Sequence, residues 1–173
     1  MEYYILDNGD FTGEKPETYY KFKYDPDHFQ NHGFKATHKG DNILVTAHTG
    51  AGKTSLALEA IAMHLNNPSE DFQVVYTGPI KTLINQKYKE FSDDFDDVGI
   101  MTGDVKINPG GKLLVMTAEI LRNAIMRKDS KDADIYEWQF DSNKVKCVIL
   151  DEVHFINNPD RGMVWEEIIT NLD

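Results

Sequence analysis

The stretch AHTGAGKT, from Ala47 to Thr54, separates an apolar run from a helical pattern. The run that leads into it, Ile43–Ala47, has the composition of a buried strand. The sequence that starts at Thr54, TSLALEAIAMHL, repeats apolar residues at helical spacing. A glycine-rich turn ending in Gly-Lys-Thr between a strand and a helix is typical of a phosphate-binding loop. Ala47 stands where that pattern usually has its first glycine, and a chance Gly-Lys-Thr in an ordinary loop is the alternative.

The residue types of this loop suit the chemistry of a nucleotide phosphate. Gly50 and Gly52 let the backbone turn so that successive amides point at phosphate oxygens, and the N-terminus of the following helix adds partial positive charge. Lys53 would reach the β- and γ-phosphates, and the Thr54 hydroxyl would ligate Mg²⁺. The predicted cofactor-binding residues of the loop are His48, Thr49, Gly50, Ala51, Gly52, Lys53, Thr54 and Ser55.

Further apolar runs alternate with helical patterns along the chain. The predicted strands are Ile43–Ala47, Phe72–Tyr76, Val98–Met101, Lys112–Met116 and Lys146–Leu150. Helical spacing occurs in TSLALEAIAMHL, KTLINQKYKEF and EILRNAIM. Runs that are apolar on both faces suit buried parallel strands, so the alternation predicts an α/β fold with a doubly wound, mostly parallel sheet. The polar residues 128–144 predict an insertion before the last strand.

The last apolar run ends in two acids, in the segment VILDEVH from Val148 to His154. Asp151 at the strand end would hold Mg²⁺ through its coordination shell, and Glu152 would orient and deprotonate an attacking water. Two adjacent carboxylates suit two roles because successive residues at a strand end point in different directions. An apolar strand followed by two acids is common by itself, but about a hundred residues after a phosphate loop it indicates a nucleotide hydrolase.

DEVH together with AHTGAGKT resembles the DExH helicases of superfamily 2. Four longer segments are similar to the superkiller-type, exosome-associated RNA helicases: YTGPIKTLINQKYKEF, GIMTGDVKINP, LLVMTAEILRNAI and DEVHFINNPDRGMVWEE. The resemblance runs in order from about Phe22 to Leu172. It implies a RecA-like phosphate-loop domain, the first of the two in such a motor, over residues 25–173 and incomplete at its C-terminus. An acidic, aromatic extension would occupy residues 1–24.

The resemblance implies an ATP-dependent RNA helicase fragment that uses ATP and Mg²⁺. Its implied partners are single-stranded RNA, a second RecA-like domain and an RNA-degradation complex. The second domain would supply the arginines that stabilise transition-state charge, so we expect the isolated chain to be nearly inactive. Two alternatives stay open: a superfamily 2 DNA helicase or translocase, and a nucleotide-binding module without activity of its own.

The resemblance also assigns residues to sites. It implies Glu152, Lys53 and His154 as catalytic residues and Thr54 and Asp151 as metal-binding residues. Gln30, in PDHFQ, would bind the adenine edge, and Phe22 or Tyr24 would stack on the base or be a packed aromatic. Loops and helix starts after three strands would contact the RNA backbone, through Pro79, Lys81, Gln86, Thr102, Gly103, Asp104, Thr117 and Arg122.

Composition sets the remaining bounds. The net charge of −11 is unusual for a nucleic-acid binder, so the strand would be held by a local field and by hydroxyls and amides. No apolar run approaches the roughly 18 residues of a membrane span. A single cysteine, Cys147, excludes an internal disulfide and fits a reducing compartment, so we expect an intracellular protein, either cytoplasmic or nuclear.

Overall fold

A computed structural model describes residues 9–66, 71–126 and 144–172 of the chain. These residues form two compact units, residues 1–69 and residues 70–173, which are described separately below. The predicted insertion at 128–144 lies, except for Lys144, outside the described residues. No helix in the described ranges is both long and apolar enough to cross a membrane.

The first unit consists of helices α1, His28–His38, and α2, Thr54–Leu65. Asp27 caps α1 by accepting from backbone amides of its first turn, and Gln30 completes a capping box. The two helices pack closely where a Cβ on Gly33 would stand 1.8 Å from Leu56 Cδ2. Helix α2 has the bounds that its apolar spacing predicts.

A fully buried carboxylate on α2 holds the segment before α1. Glu59 accepts hydrogen bonds from the backbone amides of Tyr19, at 2.9 Å, and Tyr20, at 3.0 Å. His38 Nε2, on α1, lies 2.7 Å from the Glu59 carboxylate. A buried carboxylate is costly unless such partners satisfy it. Residues 19 and 20, from the predicted N-terminal extension, are therefore part of how this unit packs.

The prediction of a strand at Ile43–Ala47 is wrong. Residues 41–48 form neither helix nor strand, and Ile43 and Leu44 are 41% and 76% exposed. An apolar run becomes a strand only when a neighbour supplies ladder hydrogen bonds, and in the part of the chain that the structure describes no strand pairs with this run. The phosphate loop therefore follows an irregular segment, not a strand.

The second unit is built on a five-stranded sheet with the order β3-β2-β4-β1-β5. The strands are β1 Gln73–Gly78, β2 Val98–Met101, β3 Lys106–Ile107, β4 Leu113–Thr117 and β5 Val145–Leu150. All pairings are parallel except that of β2 with the short β3, which the sequence analysis did not predict. The other four strands lie within two residues of their predicted positions. The predicted α/β class with a mostly parallel sheet is confirmed.

Helices α3 Lys81–Asp94, α4 Ala118–Met126 and α5 Gly162–Asn171 accompany this sheet, with a short 3₁₀ helix at Val153–Asn157. The main apolar core joins α4 and α5 to the sheet, and its fully buried members include Leu114, Leu121, Trp165 and Ile168. Strands β1, β2 and β4 are buried along their whole length. This explains why their sequences are apolar without alternation.

The parallel register brings the carboxyl ends of four strands to one edge of the sheet. Gly78 at the end of β1 pairs with Thr117 at the end of β4, and Met101 of β2 pairs with Met116. On the other side Thr77 pairs with Leu150 of β5. Ligands of open α/β sheets bind at this edge, and the segments that follow these strands carry the predicted functional residues.

Cys147, in β5, is partly buried, and burial raises the pKa of its thiol to about 11. The thiol is therefore protonated at neutral pH and a poor nucleophile.

The start of α5 depends on a residue without a side chain. A Cβ on Gly162 would stand 2.1 Å from the carbonyl oxygen of Ile156 in the 3₁₀ helix. The Gly162 amide donates to the Asn158 carbonyl at 2.8 Å, which fixes this close approach. Backbone, not a flexible side chain, would have to move to make room.

We therefore expect Gly162→Ala to lower the free energy of unfolding by about 1–3 kcal/mol, because the added methyl overpacks against backbone. The matched control is Gly110→Ala, where an added Cβ would meet no heavy atom within 4 Å in the part of the chain that the structure describes, its two chain neighbours aside; its effect should stay within about 0.5 kcal/mol. Urea denaturation followed by tryptophan fluorescence measures both. Equal midpoints for the two variants would contradict the packing described here.

Candidate functional site

The phosphate loop of the first unit has the backbone conformation that its glycines predict. Gly50 has φ +84° and Gly52 has φ +87°, in the left-handed region that favours glycine. Lys53 Nζ donates to the carbonyls of Ala47, at 2.8 Å, and His48, at 3.0 Å. The ammonium thus lies across the start of the loop, held by two backbone oxygens that an anionic phosphate would outcompete.

The other predicted loop residues divide into exposed and structural positions. His48, Thr49 and Thr54 are exposed, and Thr54 opens α2. Ser55 is buried, and its hydroxyl donates to the Gly52 carbonyl at 2.6 Å. Ser55 therefore supports the turn, while the exposed residues and the helix N-terminus face solvent where a ligand would arrive.

Gln30 is buried, and both the oxygen and the nitrogen of its side-chain amide form hydrogen bonds. Its Oε1 accepts from the Asp27 amide at 2.8 Å, and its Nε2 donates to the Gly52 carbonyl at 3.2 Å. A Cβ on Gly52 would stand 2.6 Å from Gln30 Nε2, so only glycine permits this contact. Gln30 links the cap of α1 to the phosphate loop, and its binding of an adenine edge stays a prediction.

The two aromatic residues suggested for base stacking differ in availability. Phe22 stacks on the fully buried Phe34, with ring centroids 5.2 Å apart and planes at 13°. Tyr24 is 53% exposed and borders a cavity of about 320 Å³ together with Lys15, Lys21 and Asn31. Phe22 is thus a packed aromatic, and Tyr24 presents a ring to solvent.

In the second unit, Asp151 is held by hydrogen bonds to both carboxylate oxygens. Oδ1 accepts from the Glu152 amide at 2.9 Å, and Oδ2 accepts from the hydroxyl of Tyr76 on β1. The Asp151 amide donates to the Thr77 carbonyl at 2.9 Å and so extends the pairing of β5 with β1. The orientation of this carboxylate is therefore set by β1, an interior strand of the sheet.

Glu152 occupies a strained backbone conformation. Its φ of +53° and ψ of 41° are left-handed, which costs a residue other than glycine on the order of 1 kcal/mol or more. Its Oε2 lies 3.1 Å from His154 Nδ1, and both side chains are exposed. The chain thus leaves β5 in a sharp turn that presents Glu152 and His154 together, as neighbours on the surface.

The eight residues predicted to contact nucleic acid are only partly brought together. Pro79, Lys81, Gly103 and Thr117 line one cavity of about 370 Å³ at the carboxyl edge of the sheet. We call this the strand-end cavity. Its remaining lining residues, which the sequence analysis missed, are Ile80, Glu119, Ile120 and Arg161.

The other four predicted residues do not line the strand-end cavity. The Thr102 hydroxyl accepts from the Val105 amide at 3.1 Å and so shapes the turn that carries Gly103. Gln86 bonds Glu90 at 2.6 Å on the exposed face of α3. Asp104 and Arg122 are engaged in ion pairs.

In each of these ion pairs, a carboxylate of the chain binds a cationic side chain that is predicted to contact RNA. Lys81 Nζ donates to Asp104 at 2.5 Å, and Arg122 donates to Glu167. The hydrogen bond to Glu167 and the charge of that carboxylate raise the pKa of Arg122. The local positive field expected for a strand-binding surface is thus partly cancelled by the chain itself.

Two missed residues had a signal in the sequence. Arg161 lies in the RGMVWEE continuation of the DEVH segment, and Tyr76 opens YTGPIKTLINQKYKEF. Both stretches carry the family resemblance, but no pattern in them indicates a contact partner. Those partners depend on strand register and on helix packing, which are properties of the folded chain.

The Tyr76–Asp151 contact predicts a pH-dependent contribution to stability. Burial, and next the Asp151 carboxylate, raise the pKa of Tyr76, whereas the unfolded residue ionises near pH 10. The contribution of the Tyr76 phenol to the free energy of unfolding is complete below about pH 10. It is lost as the pH rises further, because Tyr76 then loses its proton in the unfolded chain and keeps it in the folded one. Tyr76→Phe should cost about 1–2 kcal/mol at pH 7.

The difference between the unmodified chain and Tyr76→Phe should therefore shrink above pH 10. Urea denaturation at intervals from pH 7 to about pH 11 measures it. Tyr88→Phe, on α3, is the control for removal of a phenol elsewhere. Parallel stability curves for the unmodified chain and Tyr76→Phe would show that the phenol is not held as described.

Two curated proteins share sequence with most of this chain. DExH-box ATP-dependent RNA helicase DExH9 of Arabidopsis thaliana is 45% identical over 148 residues, which are 86% of this chain and 14% of that protein. Superkiller complex protein 2 of Homo sapiens is 40% identical over 164 residues, 95% of this chain and 12% of that protein. The chain thus spans about an eighth to a seventh of the length of these relatives.

A solved structure supports the fold. The crystal structure of the DUF1998 helicase MrfA bound to DNA and AMPPNP matches 75% of this chain and 19% of that chain, with a TM-score of 0.59 at 20% identity. The family model of the DEAD/DEAH box helicases matches residues 27–173. The resemblance to superkiller-type DExH helicases is confirmed, and the chain belongs to the DEAD/DEAH box helicase family.

Proposed function

We propose that the chain is the ATP-binding part of an ATP-dependent RNA helicase motor. The observation that carries this proposal is the phosphate loop, in which two left-handed glycines precede a lysine and the N-terminus of α2. Family membership supports the use of ATP. The relative DExH9 is named an RNA helicase, and that name supports RNA as the substrate.

The loop residues fit a magnesium–nucleotide complex. Apart from Gly50 and its two chain neighbours, no heavy atom of the described residues lies within 4 Å of the position that a Cβ on Gly50 would take, so the turn leaves room for an anion. Lys53 would exchange its two backbone carbonyl partners for phosphate oxygens, and Thr54 would offer its exposed hydroxyl to the metal. Bound Mg²⁺ would neutralise charge on the phosphates.

The DEVH acids suit the two roles that hydrolysis requires. Asp151 is fixed by Tyr76 and retains lone pairs on both oxygens for a water shell around the metal. The Glu152 side chain is 42% exposed and can accept a proton from water. His154 Nδ1, 3.1 Å from Glu152, would orient that carboxylate.

The strand-end cavity is the proposed contact with single-stranded RNA. It combines the Thr117 hydroxyl, the Gly103 backbone and the Lys81 ammonium, which suit sugar–phosphate groups and do not select bases. Because Asp104 pairs with Lys81, few counterions would be released on binding. We expect affinity that tolerates sequence and depends only modestly on salt.

We further propose that a second RecA-like domain of the same protein closes on the nucleotide and on RNA. It would supply arginines that offset transition-state charge, a contribution of roughly 10³–10⁵ in rate. Without it, hydrolysis should be very slow. Association with an RNA-degradation complex is proposed on the resemblance to the superkiller-type, exosome-associated helicases; the relative superkiller complex protein 2 is named as a member of a complex.

The nucleotide part of the proposal is tested by Lys53→Ala. Removing a charge-assisted contact worth about 1.5–3 kcal/mol should weaken magnesium–ATP binding roughly 10- to 100-fold. Titration calorimetry on the chain measures the affinity, and Lys87→Ala, whose ammonium pairs with Glu90 on α3, is the control. If Lys53→Ala binds magnesium–ATP as well as the control does, the loop is not the nucleotide site.

The RNA part is tested by Lys81→Ala. Loss of one phosphate contact should weaken binding of single-stranded RNA several-fold and reduce the salt slope by less than the roughly 0.7 of an unpaired cation, because Asp104 already pairs with Lys81. Fluorescence anisotropy across a salt series measures both, with Lys87→Ala as the control and DNA of the same sequence as competitor. Equal binding of DNA and RNA would favour the DNA-translocase alternative, since only RNA offers 2′-hydroxyls.

A further inference from the structure

One guanidinium in the second unit joins two separate segments. Arg161 Nε donates to Glu119 Oε1 at 3.1 Å. Its Nη2 donates to the same carboxylate oxygen and to the carbonyl of Pro79. Pro79 directly follows β1, and Glu119 lies in the first turn of α4, so Arg161 spans the distance between the ends of two strands.

Contacts of its own backbone and with two aromatic rings hold Arg161 in place. The side-chain oxygen of Asn158 accepts from the amides of Asp160, at 3.0 Å, and Arg161, at 3.1 Å. The Arg161 guanidinium carbon lies 5.8 Å from the ring centroid of Trp165, which is fully buried, and 6.0 Å from that of Phe155. Attraction between the cation and these rings holds the side chain against the core.

Pro79 needs such a contact more than other residues would. Proline has no amide hydrogen, so its carbonyl is the only backbone group through which hydrogen bonding can place it. Pro79 and Glu119 line the strand-end cavity, and Arg161 lines it between them. The separation of these two walls therefore depends on the guanidinium.

We propose that Arg161 is a positioning residue that sets the width of the strand-end cavity for the RNA backbone. The inference rests on the proposed RNA-binding function. Arg161 acts through Pro79 and Glu119, not as a free cation, because the Glu119 carboxylate offsets its charge. The planar fork of arginine can bind two acceptors at fixed angles, which the single ammonium of lysine does not reproduce.

The positioning role and a simple charge role predict opposite results for Glu119→Ala. If Arg161 acted only through its charge, removing an acid from the cavity wall would strengthen RNA binding. If Arg161 positions the walls through this contact, the same change weakens binding. Alanine favours helix, so α4 should persist in the variant.

The test measures binding of a labelled single-stranded oligouridylate to the chain by fluorescence anisotropy. Arg161→Lys and Glu119→Ala are each expected to weaken binding roughly tenfold, because each disrupts the contact that sets the separation of the cavity walls. Magnesium–ATP affinity, measured by calorimetry, should be unchanged in both. Glu90→Ala is the matched control, since it also removes an acid from an ion pair on a helix, away from the cavity; RNA binding should remain within twofold.

The possible failures are distinguishable. Arg161→Lys within twofold of the unmodified chain, or tighter RNA binding by Glu119→Ala, would overturn the positioning role alone. A parallel loss of magnesium–ATP affinity would show general disruption and would also overturn it. If the unmodified chain binds magnesium–ATP but no RNA, the RNA part of the proposed function fails, and this inference fails with it.

Discussion

Parallel pairing on both edges of β1 is the constraint on which the functional residues of the second unit depend. This strand lies between β4 and β5 and is buried along its whole length. Its Thr77 carbonyl accepts a hydrogen bond from the Asp151 amide, and its Tyr76 hydroxyl donates to the Asp151 carboxylate. Its end continues into Pro79, which Arg161 holds. One strand thus places an acid of the DEVH segment and a wall of the strand-end cavity in a single rigid frame.

Charge is distributed in this chain by local pairing and not by a basic surface. Lys81, Arg122 and Arg161 each face a carboxylate of the same unit. Exposed pairs of this kind contribute little to folding stability, but they reduce the attraction of a surface for polyanions. An acidic protein with such pairs would hold a nucleic-acid backbone mainly through hydroxyls and amides, which act over hydrogen-bond distances and resist screening by salt.

Much of this architecture is predictable from the sequence, because the signals are local. Strands buried on both faces read as unbroken apolar runs, and four of the five predicted runs are strands of the sheet. Residues 43–47 look the same but are not a strand, because pairing depends on a neighbour that composition does not reveal. The glycine conformations in the phosphate loop were predictable for a similar reason, since the turn leaves little alternative. The partners of Tyr76, Glu119 and Arg161 were not, because they lie 42 to 82 residues away in sequence.

The buried carboxylate of Glu59 has a consequence for where the folding unit of the first helices begins. The family match starts at residue 27, after the segment whose amides Glu59 binds. A shortened chain that started there would keep the phosphate loop and the DEVH segment, but Glu59 would lose the two backbone amides. Among the described residues, His38 would be left as its partner. Loss of such partners costs on the order of 1–3 kcal/mol for each group left unsatisfied. One side chain in the middle of α2 therefore sets the N-terminal boundary for recombinant work on this protein. That boundary must include Tyr19 and Tyr20, several residues upstream of the first recognisable motif.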